Sequence, residues 1–145
     1  MGTRKALTLA RAGANVTVVA PKITDELARE VEAGLVAWRK EHFKAEHLTG
    51  ACLVVMATDD EVMNAAGTLL AGQERSLACD ASSASHSQVI FGALLEREGV
   101  TIATFTDGQD PARAREMRDR LARLLAADEA APGTGPATGS GSPSG

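Results

Sequence analysis

The chain has 145 residues, 44% of them hydrophobic but only 3% aromatic, and a formal net charge of -4. Its length suits one domain with an aliphatic core, and its mild acidity argues against a nucleic-acid partner. No apolar run approaches the ~20 residues of a membrane span and no leader pattern opens the chain, so the expectation is a cytoplasmic protein without a membrane partner.

Residues 3 to 12 read as a helix: Leu7, Ala10 and Ala14 share a face, and Gly13 is a natural stop. Val16 to Ala20 is a short β-branched run of the kind that forms parallel strands covered on both faces, and Pro21 ends it. Thr24 caps a second helix with Asp25 and Glu26 in its first turn, and Gly34 ends that helix. Leu35 to Trp38 is a further strand, followed by a charged connector holding His42 and His47, for which no chemical role is expected.

Ala51 to Ala57 is the clearest strand in the chain. Thr58-Asp59-Asp60 opens the next helix, over about 60 to 72, with Thr58 or Asp59 as its cap. Ser76 to Asp80 is a strand ending in a carboxylate. The two cysteines, Cys52 and Cys79, fall in or beside these strands and show no metal-ligand spacing, which predicts buried free thiols and no metal site. Helices and strands alternate this far, which predicts a parallel α/β sheet.

The pattern then changes. Val89 to Leu94 and Val100 to Phe105 read as two strands joined by a hairpin loop over Glu96-Arg97-Glu98-Gly99. Asp110 and Pro111 start a last helix, with Ala114, Met117, Leu121, Leu124 and Leu125 as its apolar stripe and its arginines on the wet face. From about residue 127 the chain tends toward a Gly, Pro, Ser, Thr and Ala tail, expected to be disordered.

These segments, in this order, resemble the precorrin-2 dehydrogenase family, the N-terminal dehydrogenase module of siroheme synthases. Arg4-Lys5 with Leu9 to Pro21 resembles the first helix and second strand of its Rossmann domain. Leu53 to Asp60, with Asn64, resembles the family signature at the end of the fourth strand. Val89-Ile90-Phe91 and Ile102 to Pro111 resemble the strand pair that builds the family's dimer.

The resemblance implies a Rossmann-like parallel sheet at 1–81, a dimerisation and substrate segment at 82–126, and a homodimer. It implies NAD-dependent oxidation of precorrin-2 to sirohydrochlorin in siroheme biosynthesis. Asp80 matches the family's proposed catalytic carboxylate, although the family pattern usually has two adjacent acids and a shorter link. Asp59 and Asp60 are rival carboxylates at a strand end. Met1, Gly2, Pro21, Lys22, Thr58 and Asp59 fall at cofactor-contacting positions, and His86 and Thr106 at substrate-contacting ones. For His86 a solvated loop residue, and for Thr106 a turn-forming hydroxyl, are the plainer readings.

In the family, a first strand and a glycine-rich loop precede the Arg-Lys helix, and here Met1-Gly2-Thr3 stands where that loop ends. A start placed too far downstream is the favoured reading. The others are a partner that fills the slot, or a non-catalytic tetrapyrrole-binding protein of the same pathway. A sirohydrochlorin ferrochelatase is the further alternative, with Asp80 or His86 accepting pyrrole protons.

Overall fold

A computed structural model describes residues 2–130. The elements run α1 (Gly2–Arg11), β1 (Thr17–Val19), α2 (Asp25–Glu32), β2 (Ala37–Arg39), β3 (Leu53–Met56), α3 (Glu61–Gln73), β4 (Leu77–Asp80), β5 (Ala93–Arg97), β6 (Val100–Thr104) and α4 (Pro111–Ala130). Short 3-10 turns lie at Ala45–Leu48 and Ala84–His86.

The fold is mixed α/β, with parallel pairing in its first part as the alternation predicts. Among the described residues the parallel strands form two pairs. β1 pairs with β2, Val18 opposite Trp38, and β3 pairs with β4, Val55 opposite Cys79. Among the described residues no strand joins β1 to β3, so each leaves one edge unpaired. Helix α1 supplies a link between the halves: it packs on α2 and also touches β3.

Each pair has its own apolar cluster. Ala6, Leu7 and Ala10 of α1 close over Leu27 and Val36, with Val16, Val18, Ile23 and Val31 around them. Removing a leucine such as Leu7 or Leu27 from water contributes about 1.5–3 kcal/mol. The second cluster joins Leu48, Ala71 and Ala78, with Phe43, Val54 and Leu70 against it. Helix α3 approaches β3 closely because residue 67 is glycine: a Cβ there would overlap the Met56 thioether.

The caps explain the helix boundaries. Thr24 accepts from the Leu27 amide, as the sequence predicts. Helix α3 is capped by Asp60, not by Thr58 or Asp59; one Asp60 oxygen accepts from the Val62 and Met63 amides at 2.9 and 3.0 Å. Asp110 accepts from the Arg113 amide and Pro111 opens α4, again as predicted.

Other boundaries move. The strand expected at 35–38 sits at Ala37–Arg39, because Gly34 at φ +76 turns the chain and Val36 is spent in the core. The strand expected at 89–94 is β5, Ala93–Arg97. Val89 instead donates to the Ala78 carbonyl, so the segment before β5 lies along β4. The four-residue loop shrinks to two, because Glu98 (φ 50) and Gly99 (φ 77) both take left-handed backbone, the geometry of the tightest hairpins. Arg97 and Val100 pair across it. Cys79 is buried as expected, but Cys52 is exposed, since it precedes β3 rather than lying within it. Helix α4 packs on β5 and β6 and continues to Ala130, past residue 127 where the tail was expected; the rest of that tail lies outside the described residues.

Candidate functional site

Three elements meet at the start of α1. The Thr3 hydroxyl is 3.0 Å from that of Thr24, just beyond the end of β1. A Cβ on Gly2 would sit 3.4 Å from the Cβ of Ala57, just beyond β3. One turn on, the Lys5 ammonium lies 4.2 Å from the centre of the Phe91 ring. Burial holds the Lys5 pKa below the usual lysine value, partly opposed by Cys79 and assisted by Arg4. The first turn of α1 therefore sits at the carboxyl ends of both parallel pairs, where open α/β sheets bind ligands. That turn carries no acidic residue, and the first amides of a helix have no partner within it. Free amides and a positive dipole end suit the diphosphate of a dinucleotide. Pro21 and Lys22 are exposed at the end of β1. Met1 lies outside the described residues.

At the end of β3 the polar groups face one another. Asn64 of α3 is fully buried. Its carbonyl oxygen accepts from the Thr58 amide at 3.0 Å and the Thr58 hydroxyl at 2.7 Å. Its amide nitrogen donates to the Thr58 carbonyl and to the Ser82 hydroxyl. Thr58 is exposed but its hydroxyl is committed to Asn64, whereas Asp59 is exposed and has no side-chain partner among the described residues. Asn64 is the residue here that the sequence reading underrated. Its place four residues after the Asp60 cap, facing back to the strand end, is the signal that could have found it.

The end of β4 is more closely built. Asp80 has a side chain only 1% exposed. Its Oδ1 accepts from the Ser82 amide at 2.8 Å and from the Ser82 hydroxyl. Its Oδ2 lies 3.3 Å from Nδ1 of His86. Ser87 pins the backbone: its hydroxyl accepts from the Asp80 amide at 2.8 Å and donates to the Asp80 and Ser83 carbonyls. Gln88 extends the contact by bonding both the amide and the carbonyl of Ala78. Burial pushes the Asp80 carboxyl up, but hydrogen bonds from Ser82, His86 and the Ser83 amide outweigh it and hold the pKa below the usual carboxylate value. The lid over the carboxylate is a single thin loop, so it is sealed from solvent without lying deep.

His86 is in that lid. The sequence favours a solvated residue there, and the ring is indeed half-exposed, yet it is tied to Asp80. It borders an open groove with Ala65, Thr68, Leu69, Gly72 and Gln73 of α3 and with Gln88. Thr106 stands apart from this cluster. Its hydroxyl donates to the Asp110 carbonyl and accepts from the Asp110 amide, closing the turn before α4. His47, in the connector, is structural: its Nδ1 accepts from the Lys44 amide, and its Nε2 lies 3.2 Å from Glu41 but off the line of a hydrogen bond.

Residues 1–93 match the family model described as "Putative NAD(P)-binding". A siroheme synthase of Photorhabdus laumondii is 35% identical over 86% of this chain and 27% of its own length. Siroheme synthase 1 of Pectobacterium atrosepticum is 37% identical over 88% of this chain and 26% of its own. The chain thus spans about a quarter of these relatives. Among solved structures, SirC, a precorrin-2 dehydrogenase, superposes with a TM-score of 0.67 at 25% identity, covering 87% of this chain and 60% of that one. The chain therefore belongs to this NAD(P)-binding family, has the Rossmann-like fold of SirC, and is a relative of the siroheme synthases.

Proposed function

We propose that this chain oxidises precorrin-2 to sirohydrochlorin in siroheme biosynthesis, with NAD as oxidant. The observation that carries the reading is the start of α1 at the ends of both β1 and β3, beside a sealed carboxylate at the end of β4. Its cofactor half is supported by the family match and its substrate half by the likeness to SirC.

Gly2, Thr58 and Asp59 border the proposed cofactor crevice, with Pro21 and Lys22 at its β1 side. NAD, when bound, supplies the hydride acceptor. The chain's own part is to hold the diphosphate on the α1 amides, to orient the substrate against the β4 end, and to take a proton. The side chain of Asp60 is committed to its cap and that of Thr106 to its turn; Asp59 is placed on the cofactor side, and the Asp80 cluster is our choice for the proton-handling group. The thiols of Cys52 and Cys79 are free, which suits the reducing cytoplasm we assign to the protein.

We also infer a homodimer through the hairpin and α4. Val100, Phe105, Met117 and Leu124 are all exposed there, and large apolar patches of this kind mark interfaces. Light scattering should give twice the chain mass, and Phe105→Glu should return the monomer.

Two experiments test the function. Calorimetry should detect micromolar NAD binding, and anaerobic incubation with precorrin-2 and NAD should generate the sirohydrochlorin spectrum. Sirohydrochlorin binding without any NAD affinity would favour a tetrapyrrole carrier instead.

A further inference from the structure

We propose that His86 is the group that exchanges the proton with substrate, and that Asp80 is a positioning residue acting through it; the roles rest on the oxidation reading above. The reason is access. Both Asp80 oxygens are engaged, Oδ1 by two donors of Ser82 and Oδ2 by His86, and the side chain is 1% exposed. A substrate cannot touch that carboxylate without dismantling the 82–88 loop. The His86 side chain is 53% exposed and borders the groove beside α3.

A carboxylate facing Nδ1 selects the tautomer with its proton on Nδ1, which leaves the Nε2 lone pair free. Nε2 has no partner among the described residues, and none of the other groove-lining residues is ionisable. The neighbours from α3 are Ala65, Thr68, Leu69, Gly72 and Gln73, and from the loop Gln88; Asp80 of β4 is the titratable group that faces the ring. The loop serines have a matching purpose. Ser82 and Ser87 hold the carboxylate and its backbone, so the imidazole is oriented from below by a rigid anchor.

The step balances as a two-electron oxidation. One substrate C–H bond gives up its electron pair with its hydrogen, as hydride, to the nicotinamide oxidant named above. A neighbouring C–H or N–H bond gives its proton to Nε2, and the electron pair it leaves behind becomes part of the new double bond. The imidazolium formed is stabilised by Asp80 and returns the proton to water.

The test has two independent arms. Long-range proton–nitrogen NMR of the whole chain at pH 8, with His86→Gln to assign the ring, should show hydrogen on Nδ1 and a bare Nε2. Hydrogen on Nε2 overturns the proposal whether or not the chain is a dehydrogenase. In the kinetic arm, His86→Gln should lose at least ~100-fold in kcat, the range of general acid–base catalysis, and lose the acid limb of the pH profile, with NAD affinity unchanged. Asp80→Asn, if folded, should lower kcat with NAD affinity unchanged, and wild-type kcat in it overturns the positioning role. Wild-type turnover in His86→Gln overturns the role of His86. Absence of turnover in the wild type sinks the oxidation reading and the catalytic role with it, while the NMR arm still decides the tautomer.

Discussion

The two parallel strand pairs end differently. Beyond β1, the chain passes exposed Pro21 and Lys22 to a capping threonine, and the neighbouring end of β2 carries Arg39, bonded to Glu41 at 2.8 Å in solvent. Beyond β3 and β4, by contrast, Thr58, Asn64, Asp80, Ser82, His86 and Ser87 form a connected set around two buried side chains, those of Asn64 and Asp80. Surface ion pairs such as Arg39–Glu41 contribute little, whereas sheltered polar groups are costly unless every donor and acceptor is paired. In the function we propose, the start of α1 frames the cofactor and the β4 end handles the proton.

Asp80→Ala should break that contrast most strongly. It should abolish turnover by ~100-fold or more, because the proton-handling group loses its anchor. It should also cost about 1–3 kcal/mol in chemical denaturation, since Ser82 and His86 lose their acceptor. Wild-type turnover in a folded Asp80→Ala protein would remove the β4 end from the mechanism.

Asn64→Ala should cost about 2–4 kcal/mol, as the Thr58 amide and hydroxyl are left without their partner in a buried setting. In the proposed function it should also weaken NAD binding, because Thr58 is assigned to the cofactor crevice. A loss of less than about 0.5 kcal/mol would mean that water replaces the side chain freely.

Acid should act on the same half. The Asp80 pKa is lower in the folded protein, so its stabilisation is fully present above the unfolded value, near pH 4, and is lost as pH falls through the folded value. The acid dependence of denaturant midpoints should flatten in Asp80→Asn. An unchanged slope would place the acid-sensitive group elsewhere.

At the other half the smallest effect is expected. Thr24→Ala removes the α2 cap and the contact with Thr3, and should cost about 1 kcal/mol. Its kcat should stay near wild type. A collapse of kcat would show that the β1 end shares in the chemistry.

Much of this was legible in the sequence. The helix caps Thr24 and Asp110, the parallel alternation and the carboxylate ending β4 all follow from local patterns. Boundaries failed where backbone conformation decided them. Nothing in Glu96-Arg97-Glu98-Gly99 declares that Glu98 takes a positive φ and lets the strands run on to Arg97 and Val100. The site was half-visible. Asp80 was singled out by its place at a strand end and its match to the family pattern, but its sealing by Ser82 and the tether of His86 depend on a loop folding back over the strand it follows. Polar loop residues carry no periodicity to announce such a turn.

The most direct measurement is an anaerobic assay of precorrin-2 with NAD, run in parallel on the wild-type chain and on Asp80→Ala. The account predicts that the sirohydrochlorin spectrum grows with NADH formation in the wild type and stays flat in the variant. A flat trace in both proteins, or equal growth in both, would contradict it.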